Sequence, residues 1–238
     1  MKLVLAALAY LGIALGSPAR ADESRCPGRD DLTVGIVFSG GLDDATLTVT
    51  PVPKDVVESM GLAGDPDLDE YRLLELSYPI ESSSVYQGSS EISYKGLVEI
   101  AFSRHVICAS VEYQENPKTI FPLVRKRPSK RAFRWRSPLL EQVNKQVDGS
   151  FEWTLNDEAT INIGSCEYAV QVIGVDSRLS IDGSEGIENV VDNSTVYYLP
   201  ELQAPFAILH APDDGKVWIQ GMFDTVERLA PSSDANGQ

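Results

Sequence analysis

The stretch that most constrains this chain is residues 158–173, E-A-T-I-N-I-G-S-C-E-Y-A-V-Q-V-I. Gly164-Ser165 suits the corner of a type II′ two-residue hairpin, because the first corner residue takes positive φ and only glycine does so cheaply. That corner sets Ile163 opposite Cys166, Asn162 opposite Glu167, Ile161 opposite Tyr168 and Ala159 opposite Val170. One face then carries Ala159, Ile161, Ile163, Cys166, Tyr168, Val170 and Val172, and the other Glu158, Thr160, Asn162, Glu167, Ala169 and Gln171. A slip of one residue exchanges the faces and buries the charges. Turn chemistry and apolar alternation agree on an antiparallel hairpin with one wet side.

The rest of the chain repeats short apolar runs between turn residues. Strands are expected over residues 32–38, 45–50, 71–77, 96–102, 105–113, 151–155, 178–181, 195–199, 206–211 and 216–222. A corner at Ser103-Arg104 places Phe102 opposite His105, Ile100 opposite Ile107 and Val98 opposite Ala109. Asp214-Gly215 is a type I′ signal that sets His210 opposite Ile219. Residues 54–60 fit a helical turn closed by Gly61, and Ser137-Pro138 opens a short helix to about Val147, after which Asp148-Gly149 turns the chain. Residues 182–193 read as an acidic loop. With no long helices alternating with the strands, the expected class is all-β with minor α, an antiparallel sheet curled into a barrel, half-barrel or sandwich.

Lys2, the apolar run of residues 3–15 and Ala19-Arg20-Ala21 have the layout of an export signal cleaved after Ala21. No later apolar run is long enough to cross a membrane as a helix, so the expectation is a periplasmic or secreted protein, not an integral membrane one. The expected organisation is a signal over residues 1–21, one β domain over 22–229 and a disordered tail over 230–238. Removing the signal takes away Lys2 and Arg20 and no acid, so the net charge falls from −15 to −17. Such a surface repels nucleic acid on average. In an oxidising compartment, Cys26, Cys108 and Cys166 form one disulfide with one thiol left over. Cys26 to Cys166 is the preferred pair, because it pins a fraying amino terminus to the core face beside the tight turn; three buried thiols are the alternative.

Three segments resemble a loosely defined group of bacterial exported proteins of unknown function. They are Cys26-Pro27 leading through Asp31-Leu32 to Gly35-Ile36-Val37, then Gly164-Ser165-Cys166-Glu167-Tyr168, then Tyr197-Tyr198-Leu199-Pro200-Glu201-Leu202. The resemblance implies export, an antiparallel architecture and the Cys26 to Cys166 pairing, and it transfers no catalytic residues. Residues 51–136 lie outside it.

The least ordinary composition is in residues 125–136, where Arg125, Lys126, Arg127, Lys130, Arg131, Arg134 and Arg136 occur with no acid. In Phe133-Arg134-Trp135-Arg136 a strand turns both aromatics to one face and both arginines to the other. Together with Trp135, these cations form a candidate site for an anionic envelope component, a lipid or an acidic protein partner. The bland reading is that they neutralise acidic neighbours or protect an edge. Asp65-Pro-Asp67-Leu-Asp69-Glu70 opens like a calcium loop, but Glu70 stands where the turn glycine belongs and Leu76 where a bidentate glutamate closes the site. His105 and His210 sit at strand positions, and no zinc spacing, Gly-x-Ser-x-Gly elbow or phosphate loop is present. Trp135, Trp153 and Trp218, with Tyr168, Tyr197 and Tyr198, fit either a core or an apolar cavity. No cofactor, metal or catalytic residue is assigned. The expectation is a non-catalytic binding or envelope-associated module, against the alternative of an envelope hydrolase with scattered carboxylates.

Overall fold

The computed structural model describes residues 25–41, 44–61, 64–78, 88–104, 107–183, 186–212 and 217–229. Its strands are β1 (Ile36–Ser39), β2 (Thr46–Pro51), β3 (Tyr71–Ser77), β4 (Gly88–Tyr94), β5 (Val98–Arg104), β6 (Ile107–Tyr113), β7 (Ser129–Arg136), β8 (Gln146–Ile163), β9 (Cys166–Gly183), β10 (Gly186–Leu199), β11 (Ala204–Pro212), β12 (Trp218–Gly221) and β13 (Thr225–Arg228). Two short helices, α1 (Lys54–Ser59) and α2 (Pro138–Gln142), lie in the connections. Every strand from β1 to β12 pairs antiparallel with the next, and β13 returns to pair with β1. The result is one curled, all-antiparallel sheet whose two edges, β12 and β13, are consecutive in the chain.

The central hairpin has the register that Gly164-Ser165 dictates, with Ile163 opposite Cys166 and Ala159 opposite Val170, and Gly164 has φ +59. Ile163, Cys166, Tyr168 and Val170 are buried, while Glu158, Thr160, Asn162, Glu167 and Ala169 are exposed. Three members of the apolar face fall short: Ala159 is exposed, and Ile161 and Val172 are half-buried. A bulge lies between Leu155 and Asp157. Skipping one residue of β8 reverses its alternation, so Trp153 and Leu155 point to the face opposite that of Ile163.

The hairpin therefore feeds two cores, one on each face of the sheet. Near its corner, Ile163, Cys166, Tyr168 and Val170 pack against Ile36, Phe38, Leu47 and Val49 of β1 and β2 and against Leu199, Leu202 and Phe206. Further along, Trp153, Leu155 and Ile173 pack against Tyr71, Ile92, Tyr94, Val98, Val196 and Tyr198. Each such side chain contributes about 1.5–3 kcal/mol of burial. A third cluster joins Phe102, Ala109, Val111 and Phe133.

The sheet is drawn together across its open seam by three residues. Met222 N donates to Phe206 O at 3.0 Å and Asp224 N to Ser39 O at 3.0 Å, so one extended segment leaves β11 and joins β1. Phe223, between them, is buried against Phe38 with ring centroids 5.5 Å apart. Cys26 is joined to Cys166, 140 residues away, and Cys108 is a free exposed thiol. Tyr168 Oη donates to Pro27 O at 3.0 Å, a second tie between the amino-terminal segment and the hairpin.

Several local expectations are corrected. Ser103-Arg104 is not a corner but the end of β5, with Arg104 opposite Ile107, Ser103 opposite Cys108 and Phe102 opposite Ala109. The displacement preserves alternation, so Phe102 and Ala109 remain inside; His105 lies outside the described residues. In β11–β12, His210 pairs with Trp218 instead of Ile219, and Asp214-Gly215 also lies outside them. Helix α2 stops at Gln142, because Gln146 and Val147 already belong to β8. Asp148-Gly149 does not turn the chain. Gly149 is a mid-strand residue opposite Phe133, and a Cβ there would meet the Phe133 ring at 2.7 Å and Arg178 O at 2.6 Å. Of the supposed acidic loop, residues 186–193 are in β10.

Candidate functional site

The basic segment supplies β7 and the turn before it, and its strand alternates as expected. Phe133 is buried and stacks on Phe151 with centroids 4.5 Å apart, and Trp135 meets Phe102 edge-on at 4.9 Å. The arginines point the other way and find acids on both neighbouring strands. Arg134 Nε donates to Asp148 Oδ1 at 2.6 Å, Arg136 reaches Glu112 at 2.9 Å, and Arg125 reaches Asp157 at 2.8 Å. Arg131 donates to Thr119 Oγ1 at 2.6 Å and lies 3.8 Å from Glu115. The Arg134 hydrogen bond holds the Asp148 carboxyl below its ordinary range, and the Asp148 pair raises Arg134 further. Lys126, Arg127 and Lys130 are exposed, and among the described residues no acid pairs with them. The geometry thus divides the segment into four arginines engaged by neighbouring side chains and three cations facing solvent.

The acidic run at residues 65–70 is also occupied. Lys118 Nζ donates to both Asp65 oxygens and lies 3.3 Å from Asp67 Oδ2. Tyr71 Oη donates to Asp65 Oδ2 at 2.9 Å. Burial alone raises the Asp65 carboxyl, but the bonds from Lys118, the Asp67 backbone and Tyr71, with the Lys118 charge, outweigh it and hold the group below its ordinary range. Burial and the Asp65 bond push Tyr71 up to about 12. A lysine ammonium therefore stands among the carboxylates that the sequence arranges like a cation loop.

At the polar edge of the second core lies a cleft of about 380 Å³. Five separate segments build it. The β4–β5 turn contributes Tyr94 and Lys95; Lys118, Phe121 and Leu123 come from the connection after β6; Gln171 comes from β9; Tyr198, Pro200 and Gln203 come from the end of β10 and its loop; Arg29 comes from the amino-terminal turn. Lys95 and Gly96 both have positive φ, 52 and 64, the shape of a tight hairpin corner. That corner docks on the loop after β10: Tyr198 Oη donates to Lys95 O, and burial holds the Tyr198 phenol well above its ordinary range.

The cleft's charges are unevenly balanced. Arg29 pairs with Glu70, whose other oxygen accepts from Gln203 Nε2, and Lys118 is matched by Asp65 and Asp67. Lys95 Nζ rests 5.5 Å from the Tyr94 ring centroid and 5.3 Å from that of Phe121, with no carboxylate pairing with it among the described residues. Gln203 is fully buried, and its Oε1 has no hydrogen-bond donor among the described residues. The site thus presents one uncompensated cation over two aromatic faces, beside an apolar wall of Leu123 and Pro200.

Of the aromatic residues considered as cavity lining, Tyr198 alone reaches this cleft. Trp153 and Tyr168 are core, Trp135 packs on Phe102, and Tyr197 packs at the first core. Trp218 is half exposed and stacks on His210 with centroids 3.8 Å apart. His210 Nδ1 lies 3.2 Å from Asp192 Oδ2 and 3.1 Å from Ser194 Oγ, while Nε2 faces Gln220. Serine and aspartate thus share one ring nitrogen, unlike a triad that places them on opposite ones. Tyr94, Lys95, Phe121, Gln171 and Gln203 were not singled out from sequence; the Lys95-Gly96 pair was the available signal, as a hairpin corner.

The fold and cleft define an all-β chain with a single curled sheet and an aromatic-walled, cationic recess. No family model and no curated protein sequence matches it. Among solved structures, it is similar to the hypothetical lipoprotein YmcC of Escherichia coli K12, with a TM-score of 0.39 and 8% identity, over 84% of this chain and 88% of that one. It is also similar to a protein of Bacteroides fragilis, inferred to be exported and given a YmcC-like fold, with a TM-score of 0.37 and 7% identity, over 82% of this chain and 96% of that one. Among the described residues, no helix is long and apolar enough to cross a membrane.

Proposed function

We propose that the chain is an exported, non-catalytic binding module whose cleft takes a small anionic ligand with an apolar or ring-shaped body. The observation that carries this reading is Lys95: an ammonium laid over Tyr94 and Phe121 and left without a carboxylate at the wall of a recess of about 380 Å³. A recess of this size suits a compact small molecule, and a few fixed polar groups in an apolar lining are what orient such a ligand. A carboxylate, phosphate or sulfonate takes the place of the missing acid at Lys95, and the ligand's body covers Phe121, Leu123 and Pro200. The alternative, an envelope hydrolase, needs a carboxyl group held up toward neutrality; Asp65 and Asp148 are held down instead.

The test uses 1-anilinonaphthalene-8-sulfonate, an anion on an aromatic body, titrated into the full chain and into Lys95→Ala. Loss of the counter-charge is expected to weaken binding about ten-fold, from the strength of a charge-assisted hydrogen bond. Equal affinity for the two proteins overturns the reading.

A further inference from the structure

Beyond the cleft, we propose that residues 124–130 form a docking surface for an anionic phospholipid bilayer. The turn is held rigidly against the sheet: Arg125 bridges to Leu155, Lys126 N donates to Leu155 O at 2.8 Å, and Arg127 N donates to Val124 O at 3.0 Å. With its backbone so pinned and Arg125 spent on Asp157, the turn presents Lys126 and Arg127 outward, and Lys130 follows at the start of β7. Lys130 stands across from Glu152 in the β7–β8 register, yet forms no ion pair with it. The turn's cations are flanked by exposed apolar residues, Val124 (51% exposed) and Pro128.

That mixture favours a membrane over an acidic polypeptide. A lipid interface accepts an apolar side chain and a cation together, whereas an acidic chain answers only the charges. The acidic remainder of the protein does not forbid contact, because repulsion from groups farther than a Debye length of about 8 Å is screened at physiological salt. Phe121 and Leu123, which line the cleft, lead directly into this turn, so a bilayer bound here lies beside the cleft mouth.

The experiment is co-sedimentation of the full chain with vesicles of phosphatidylethanolamine and phosphatidylglycerol, against vesicles of phosphatidylcholine alone. The wild type is expected to pellet only with the anionic vesicles and to be released by salt. A Lys126→Gln, Arg127→Gln, Lys130→Gln variant, with all three changes on exposed side chains, is expected to lose about 100-fold in partitioning, from about five-fold per charge. Lys95→Ala is expected to sediment like the wild type, which separates failure of the cleft reading from failure of this one. No sedimentation of the wild type, equal sedimentation of the triple variant, or retention on polyglutamate without binding to vesicles overturns the proposal.

Discussion

Gly96 lies under the backbone carbonyl of Gln203, so closely that a Cβ added to the glycine would stand 1.6 Å from that oxygen. Gly96 has φ +64, so both the space and the conformation demand glycine. The contact holds Lys95 at the cleft wall, because the same corner gives its Lys95 carbonyl to Tyr198.

Gly96→Ala should therefore push the β4–β5 corner off the loop after β10. The expected loss is about 2–4 kcal/mol, the range of backbone clash with strained φ, together with weaker binding of the anionic probe. Thermal melting and probe titration check this; a variant with wild-type melting would show that the corner is not docked.

Cys26 and Cys166 close a loop spanning 140 residues of sequence. On chain-entropy grounds, opening it costs about 4–5 kcal/mol. Cys26→Ser should lower the melting temperature by many degrees, while Cys108→Ser, at an exposed thiol beside Ser103, should leave it nearly unchanged. Equal melting of the two variants would remove the disulfide from the list of what stabilises this fold.

Lys118 binds Asp65 with both side chains only 17% exposed. Replacing it by methionine leaves Asp65 half-enclosed with Tyr71 and the Asp67 backbone as its remaining partners, an expected cost of about 1–3 kcal/mol at neutral pH. The folded Asp65 carboxyl is held below its ordinary 3.8. Its stabilising contribution is thus complete above pH 3.8 and drains away as the pH falls through the folded value. Acid titration followed by circular dichroism should show a shallower loss in Lys118→Met than in wild type; parallel curves would contradict it.

Two of the buried phenols contribute to the pH dependence of stability in alkali. Tyr71 and Tyr168 are each pushed from 10.0 up to about 12, first by burial, then by Asp65 for Tyr71 and by the Glu201 charge for Tyr168. A raised phenol stabilises the fold fully below pH 10 and loses that contribution as the pH climbs through 12. Tyrosinate absorbance from these residues should appear together with the loss of near-ultraviolet dichroism; complete ionisation near pH 10 in a folded protein would refute it.

One further variant tests whether the engaged half of the basic segment is structural and weak. Arg134 and Asp148 are about 40% exposed, so solvent screens their pair, and such exposed pairs contribute little. Arg134→Gln should leave the urea midpoint close to that of the wild type; a large downward shift would show that the pair is structural and strong.

Legibility in the sequence followed the range of the interaction. The central hairpin was readable because corner and alternation lie within sixteen consecutive residues, where Gly164 and the apolar spacing impose one register. The β5–β6 corner was misplaced because Ser103-Arg104 and His105-Val106 have no strong turn chemistry to separate them. Gly149 was misread because a glycine that makes room for the Phe133 ring looks, in sequence, like one that makes a turn. Strand β13 went unseen because its partner, β1, lies nearly two hundred residues earlier.

By itself, then, the sequence determined an antiparallel all-β class and the wet and dry faces near Gly164, since both rest on local backbone preference, and it favoured Cys26 with Cys166 over three buried thiols, a choice the structure made. Tertiary structure alone decided that the sheet curls until Met222 to Asp224 span its edges, that four arginines of the basic segment are consumed while Lys126, Arg127 and Lys130 are not, and that a cleft exists at all. Those outcomes depend on side chains from segments far apart in the chain meeting at one place. Gly96 under Gln203 and Lys95 over Phe121 are such meetings, and no pattern in a single stretch encodes them.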